Sequence, residues 1–422
     1  MQRMRVVAET SSSEVNPKVL NRYYMKKVQN HGRQASSETL TIPSAGGEPE
    51  SRGRGAIARR SFLKGLGIAG ATLLPATTLL TTEGKALGQE LRRGLTQGDV
   101  DILRFLAAAE ILETDLWQQY NELGGVQDSE EPGGSGNPAY TAALSVLDDD
   151  MPQYIHDNTD DEDSHQKFLN AFLESVGAEP VDLEPFRTLP GSQASGTDPN
   201  KKRLTNLMQL TVDTSWYTRY RGIGNPDFGD VFPPAVPGLA MGQHPAIPIT
   251  NADLMPPLHL QAIANTAGFH FATIEQGGSS LYGSFVPKAT SKVVLRILYA
   301  VGGSEIAHFQ TWHDTAGDAP PLVDPLTGLT FPDLNSLTPK ELLQTNLIMP
   351  EPCDFIRKDL PRCSTIRPTL TKNAGAKAAA TFLTNMGLFI GQSTEFFRTL
   401  KALAIAADRA RRQGVVGDGD DE

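Results

Sequence analysis

Two of the eight histidines in this chain stand three residues after a glutamate, in Glu162-Asp163-Ser164-His165 and Glu305-Ile306-Ala307-His308. Positions i and i+3 share one face of an α-helix, so each motif can aim a carboxylate and an imidazole at a common point. A Glu-x-x-His match alone is a weak signal, and its surroundings carry more. Each motif follows a helical segment holding a glutamate with an aromatic residue seven positions later, about two turns along the same stripe. Ahead of the second motif these are Glu275 and Tyr282. Ahead of the first, two pairs satisfy the rule: Glu110 with Trp117, and Glu113 with Tyr120. The order glutamate helix, Glu-x-x-His helix thus occurs twice, which reads as an internal duplication of a half-site.

Four carboxylates brought together inside a protein would be prohibitive to bury without compensation, and two divalent cations would neutralise them. Oxygen-rich ligation with one nitrogen per metal suits Fe(II) or Mn(II) better than zinc, which takes fewer ligands and more N or S. The spacing predicts helices over Asp99–Leu123, Pro138–Leu147 continuing past Pro152 from Gln153 to Val176, Pro257–Phe285, Ser291–Gly317 and Asn373–Gln413. Residues 180–256 and 318–372 are rich in proline and glycine, with a further helix expected over Asn200–Arg221 that would carry Trp216, Tyr217 and Tyr220. No strand-rich domain is expected, so the fold class is all-α.

With these residues in place, the chain resembles the ferritin-like di-metal carboxylate superfamily, in which a Glu from each of two helices joins a Glu-x-x-His from each of the other two. The segment Ala109-Glu110-Ile111-Leu112-Glu113-Thr114-Asp115-Leu116-Trp117 resembles the first helix of exported ferritin-like proteins related to plant desiccation proteins. The resemblance spans about Asp99–Gly177 and Pro257–Gly317. It implies an antiparallel four-helix bundle with a long crossover, two Pro/Gly-rich insertions and an additional C-terminal helix. It also implies Glu110 and Glu275 as single carboxylate ligands, Glu162 and Glu305 as bridging carboxylates, and His165 and His308 as one imidazole per metal. Glu113, Trp117 and Tyr282 would then be alternative or supporting groups. The expected cofactor is two Fe ions, with Mn the alternative. Reaction with dioxygen or peroxide, such as ferrous oxidation, is the leading activity. Manganese-catalase-like peroxide dismutation and a non-enzymatic stress or desiccation-related structural role are the rivals.

The organisation that follows is an N-terminal extension and export signal (1–88), the first half of the bundle (89–179), a crossover insertion (180–256), the second half (257–317), a Pro-rich loop with the two cysteines (318–372), a C-terminal helix (373–413) and an acidic tail (414–422). Ala58-Arg59-Arg60-Ser61-Phe62-Leu63-Lys64, followed by small and apolar residues from Gly65 to Leu80, resembles a twin-arginine secretion signal, with Ala86-Leu87-Gly88 as a cleavage site. Met25 is an alternative start. The twin-arginine machinery is the expected partner, the periplasm or exterior the expected location, and no stable membrane span is expected after cleavage. That route carries folded proteins, so metal could be loaded before export.

The charge pattern agrees with such a division. Residues 1–88 hold 13 Lys/Arg against 6 Asp/Glu, a net of +7, which leaves −18 of the overall −11 for residues 89–422. So acidic a mature chain argues against nucleic acid as a partner and would attract cations. A hydrophobic content of 39% rules out a disordered chain. Cys353 and Cys363, in a proline-bearing loop, are spaced to close a small disulfide outside the cytoplasm. They lack the Cys-x-x-Cys spacing of structural zinc sites.

Overall fold

The computed structural model describes residues 94–130, 134–219, 227–228, 233–334, 350–351, 353, 356–364 and 374–413. The twin-arginine segment, Met25, Tyr220 and the acidic tail lie outside the described residues. All described residues belong to one compact unit, Thr77–Glu422.

The all-α expectation holds. Four long helices make the bundle: α1 (Gln97–Gly124), α3 (Met151–Ser175), α5 (Pro257–Phe285) and α6 (Lys292–Gly317). Short helices α2 (Pro138–Leu144) and α4 (Ser215–Arg219) lie in the connections, and α7 (Ala376–Asn385) and α8 (Thr394–Arg409) follow. The strands pair only as two-residue antiparallel ladders: β1 (Leu189–Pro190) with β2 (Lys202–Arg203), β3 (Leu322–Val323) with β4 (Thr330–Phe331), and β5 (Pro350–Glu351) with β6 (Cys363–Ser364).

Local signals account for the helix ends. Thr96 caps α1 by accepting from the Asp99 amide, and Ser291 caps α6 by accepting from Val293 and Val294. Asp99 also accepts from the amides of Thr290 and Ser291, so one buried carboxylate ties the starts of α1 and α6 together. Pro152 does not interrupt a helix but opens one. It sits in the first turn of α3, where its missing N–H is no loss.

Helix α1 packs on α3, α5 on α6, and α8 covers α1. Cross-helix contacts give the directions. The Arg104–Glu179 and Thr159–Trp117 contacts run α1 and α3 antiparallel. Ser304 meets His165 while Trp312 meets Asn158, so α6 is antiparallel to α3. A layer of stacked rings, Trp117, Phe271 and Trp312, fills the interior between α1, α5 and α6, with centroids 4.6–5.2 Å apart. Among the described residues, no helix is long and apolar enough to cross a membrane.

Two helical expectations are corrected. Residues 200–214 are not helical, and only Ser215–Arg219 forms a turn of helix. Their backbone is claimed elsewhere. The amides of Leu204 and Thr205 donate to the buried carboxylate of Asp115, and those of Asn206 and Thr211 donate to the carbonyls of Leu388 and Met386. Nor is 373–413 one helix. The chain turns between α7 and α8 at Gly387 and Gly391, both with φ near +95° (93° and 95°). At Gly387 a Cβ would lie 2.4 Å from the Gln209 carbonyl oxygen, so the turn and the crossover demand glycine there.

Cys353 and Cys363 are thiols in the structure, the first buried and the second exposed. Glu351, not Cys353, stands opposite Cys363 in the β5–β6 ladder.

Candidate metal centre

Every helix of the bundle sends a glutamate to one point near its middle. Glu110 comes from α1, Glu162 from α3, Glu275 from α5 and Glu305 from α6, and all four are at most 1% exposed. The two imidazoles enter from α3 and α6. His165 Nδ1 lies 3.1 Å from Glu162, 3.4 Å from Glu110 and 3.5 Å from Glu305. His308 Nδ1 lies 3.1 Å from Glu162 and 3.3 Å from Glu275. Their ring centroids are 6.4 Å apart.

These six residues sort into two sets, Glu110, Glu162, His165 and Glu305, and Glu162, Glu275, Glu305 and His308. Within each set the candidate ligand atoms lie within 4.8 Å of one another, and Glu162 and Glu305 belong to both. The structure therefore brings together the five residues singled out by spacing and one of the two α1 alternatives. Of the two α1 glutamates, Glu110 falls within a set and Glu113 in neither, although Glu113 is buried nearby.

The hydrogen bonding is incomplete in a telling way. Glu110 Oε2, Glu275 Oε2, both oxygens of Glu305 and His308 Nδ1 are buried without a hydrogen-bond partner. Native interiors rarely leave such groups unmet, and a cluster of them facing one another could hold a cation. Glu162 Oε2 meets His165 Nδ1 within the cluster, and the other partnered oxygens are held from outside it. Asn158 Nδ2 donates to Glu162 Oε1 and to Glu275 Oε1, each at 3.0 Å, and its own oxygen accepts from Trp312 Nε1 at 2.7 Å. Tyr282 donates to Glu110 Oε1. The far nitrogens of the imidazoles are engaged too, His165 Nε2 with Ser304 Oγ at 3.1 Å and His308 Nε2 with Asp161 at 3.0 Å. Such partners fix ring orientation and leave Nδ1 directed inward.

Electrostatics follow from crowding acids in a dry space. Burial, opposed by the close approach of the His165 and His308 imidazoles and reinforced by the charges of Glu110 and Glu275, pushes the Glu162 carboxyl up to about 7. Burial and then the charges of Glu162, Glu110, Glu113 and Glu275 raise Glu305 well above the usual carboxylate range. Glu110 goes the other way. Burial raises it, but the hydrogen bond and charge of His165, with help from Glu162 and Tyr282, leave it lowered. Burial works against a charged His165, yet its bonds to Glu110 and Glu162 hold its proton up to about 11. His308 is raised in the same manner, burial being outweighed by Glu275, Asp161 and Glu162. In the absence of cations, protons on the imidazoles and on some carboxyls take their place.

Asn158, Ser304 and Gly278 were not legible as site residues from spacing. Asn158 lies four positions before Glu162, hence on the same helical face, and that was the available signal. A Cβ at Gly278 would lie 2.0 Å from Glu305 Oε2, so a side chain there would displace that carboxylate. Trp117 packs in the ring layer rather than on the carboxylates, while Tyr282 touches Glu110, a ligand candidate from another helix. Other histidines stand apart. His270 bonds Tyr120 at 2.7 Å and burial lowers it to about 3; His313 stacks on Tyr217 and burial lowers it to about 4.

No protein-family model, curated protein or solved structure matches this chain. What the site can do rests on its own geometry: a buried Glu/His cluster able to hold metal.

Proposed function

We propose that the protein is a ferritin-like di-metal carboxylate protein holding two Fe ions, with Mn as the alternative, that reacts with dioxygen or peroxide. One observation carries this reading: two four-residue ligand sets that share Glu162 and Glu305 and hold between them five buried, unpartnered polar atoms. The donor set fits the ions. Four carboxylates and two imidazoles supply hard oxygen with one nitrogen per ion, and two dications offset the four negative charges.

Glu110 and Glu275 would each cap one end, Glu162 and Glu305 would span both ions, and His165 and His308 would supply one Nδ1 each. Both imidazoles must give up a proton to ligate, so uptake releases protons and strengthens as pH rises. Asn158 restrains the shared Glu162 and the terminal Glu275 together, and Tyr282 restrains Glu110. The Trp117–Phe271–Trp312 layer keeps water from one side of the cluster. A ferrous pair held there would supply the two electrons that, with two protons, take one dioxygen to hydrogen peroxide.

The test is anaerobic loading with Fe(II) followed by oxygen. The expected result is two irons per chain and a near-ultraviolet absorbance rise that Glu162→Ala abolishes. Loading without any absorbance change, or a Glu162→Ala chain that behaves as the parent, would refute the reading.

Export in folded form through the twin-arginine route belongs to the same proposal, supported by Arg59-Arg60 and the apolar run that follows. Replacing both arginines by lysine should leave the precursor in the cytoplasm. Continued export of that variant would remove this part.

A further inference from the structure

A small cavity of about 40 Å³ abuts the carboxylate cluster between α1, α5 and α7. Its walls are mostly aliphatic, with Leu112, Leu116, Ile274, Leu281 and Leu383 among them, and Glu113 lines it as the one ionisable group. Two features connect it to the site. Glu113 Oε1 is buried and has no hydrogen-bond partner, so this carboxyl is not committed to the surrounding fold. Gly278, whose missing side chain makes room for Glu305 Oε2, is also part of the cavity wall. Only helix backbone separates the space from a shared carboxylate there.

On its other side the cavity meets a wider, open pocket of about 600 Å³ that carries Lys288, Lys377, Asn385 and Asp408. The two spaces have Phe228 and Phe382 in common, and these rings stand 5.7 Å apart as a partition. A path therefore leads from the polar outer pocket, past two phenylalanine rings, into an apolar chamber that ends at Glu113 and at Gly278, against which Glu305 Oε2 lies.

The chamber's size and chemistry select its occupant. Ligand pockets for organic molecules run to about 300–1,000 Å³, so an organic substrate does not fit, whereas a molecule little larger than water does. Hydrogen peroxide would need several hydrogen bonds in exchange for its hydration. Apart from Glu113 the side-chain polar partner in the wall is Thr273, whose hydroxyl already bonds Phe269, Asp213 and Trp216. Dioxygen has no such requirement.

We propose that this cavity is the station by which dioxygen, rather than peroxide, reaches the carboxylate cluster, with Phe228 and Phe382 as its outer gate and Glu113 at its inner end. The inference rests on the di-metal reading and narrows its oxidant to one.

Xenon, an apolar probe of similar size, tests the cavity on metal-free protein by 129Xe NMR titration. The parent chain should show saturable binding, and Ala379→Phe, which fills the chamber from α7, should abolish it. Leu383→Ala, which widens the chamber, should strengthen it. On iron-loaded protein, Ala379→Phe should keep two irons per chain, oxidise with dioxygen at least tenfold more slowly, and oxidise with hydrogen peroxide at the parental rate. Xenon binding unchanged across the three chains would overturn the proposal, as would an unaltered dioxygen rate in a normally loaded Ala379→Phe chain. Equal slowing with both oxidants would overturn the choice of dioxygen. A parent chain that takes up no iron would overturn the functional reading and this inference with it, whereas the preceding outcomes overturn this inference alone.

Discussion

Replacing Glu305 by glutamine should make the metal-free protein more stable while removing its capacity for metal. Glu305 is fully buried, and neither of its oxygens has a hydrogen-bond partner. A buried acceptor left unmet costs about 1–3 kcal/mol, and more when it is charged. Glutamine keeps the shape, is neutral without taking up a proton, and brings an N–H that Glu110 Oε2 or Glu275 Oε2, both unpartnered, can accept. A gain of about 2 kcal/mol at neutral pH is expected, which corresponds to a rise in Tm of roughly 3 °C for a unit of this size. With metal present the order should invert. A ligand at a thousandfold excess over its Kd adds about 4 kcal/mol to the parent, and the variant, lacking a carboxylate shared by both sets, should gain far less. Calorimetric melting in chelator and again in excess Mn(II) reads both effects. Should Glu305→Gln melt at or below the parent in chelator, or gain as much from Mn(II), the claim that this carboxylate is kept for a cation is refuted.

Two further outcomes follow from the same geometry. Asn158→Leu removes the donors to Glu162 and Glu275 and leaves the Trp312 N–H unmet, so metal affinity should fall about 10- to 100-fold with the fold retained. Competition titration against a coloured chelator measures this, and unaltered affinity would refute the positioning role. The second outcome concerns pH. Glu162 is raised from 4.5 to about 7 in the fold, so the folded chain holds this proton more tightly than the unfolded one. The contribution of Glu162 to the stability of the metal-free protein is thus fully present below pH 4.5 and is lost as pH rises toward 7, by about 3 kcal/mol at 1.36 kcal/mol per pH unit. Urea midpoints across that window should show the slope in the parent and lose it in Glu162→Gln; the same slope in both chains would sink the assignment.

Much of the centre was legible because helical geometry is local. The i, i+3 spacing of Glu162 with His165 and of Glu305 with His308 puts each pair on one face wherever the helix packs, and the helix over Pro257–Phe285 ends where its proline and apolar pattern imply. The long uninterrupted patterns of α1 and α6 were readable for the same reason. Patterns broken by tertiary demand were not. Residues 200–214 hold enough helix formers to suggest a helix, but the buried Asp115 carboxylate offers their amides a better partner than the preceding turn does. The single C-terminal helix fails at Gly387, where a carbonyl of the crossover occupies the space a side chain would need.

Sequence by itself determined the all-α class, the duplicated half-site and five of the side chains able to serve it, with Glu110 and Glu113 as alternatives for the sixth, since residue type and local period suffice for those. Tertiary structure alone decided that Glu110 rather than Glu113 joins the cluster, that Asn158 and Tyr282 hold the carboxylates in place, and that an apolar chamber reaches Glu113. Those relations depend on the rotation and depth at which four rods meet, which are set by long-range packing of rings and aliphatic side chains far apart in the chain.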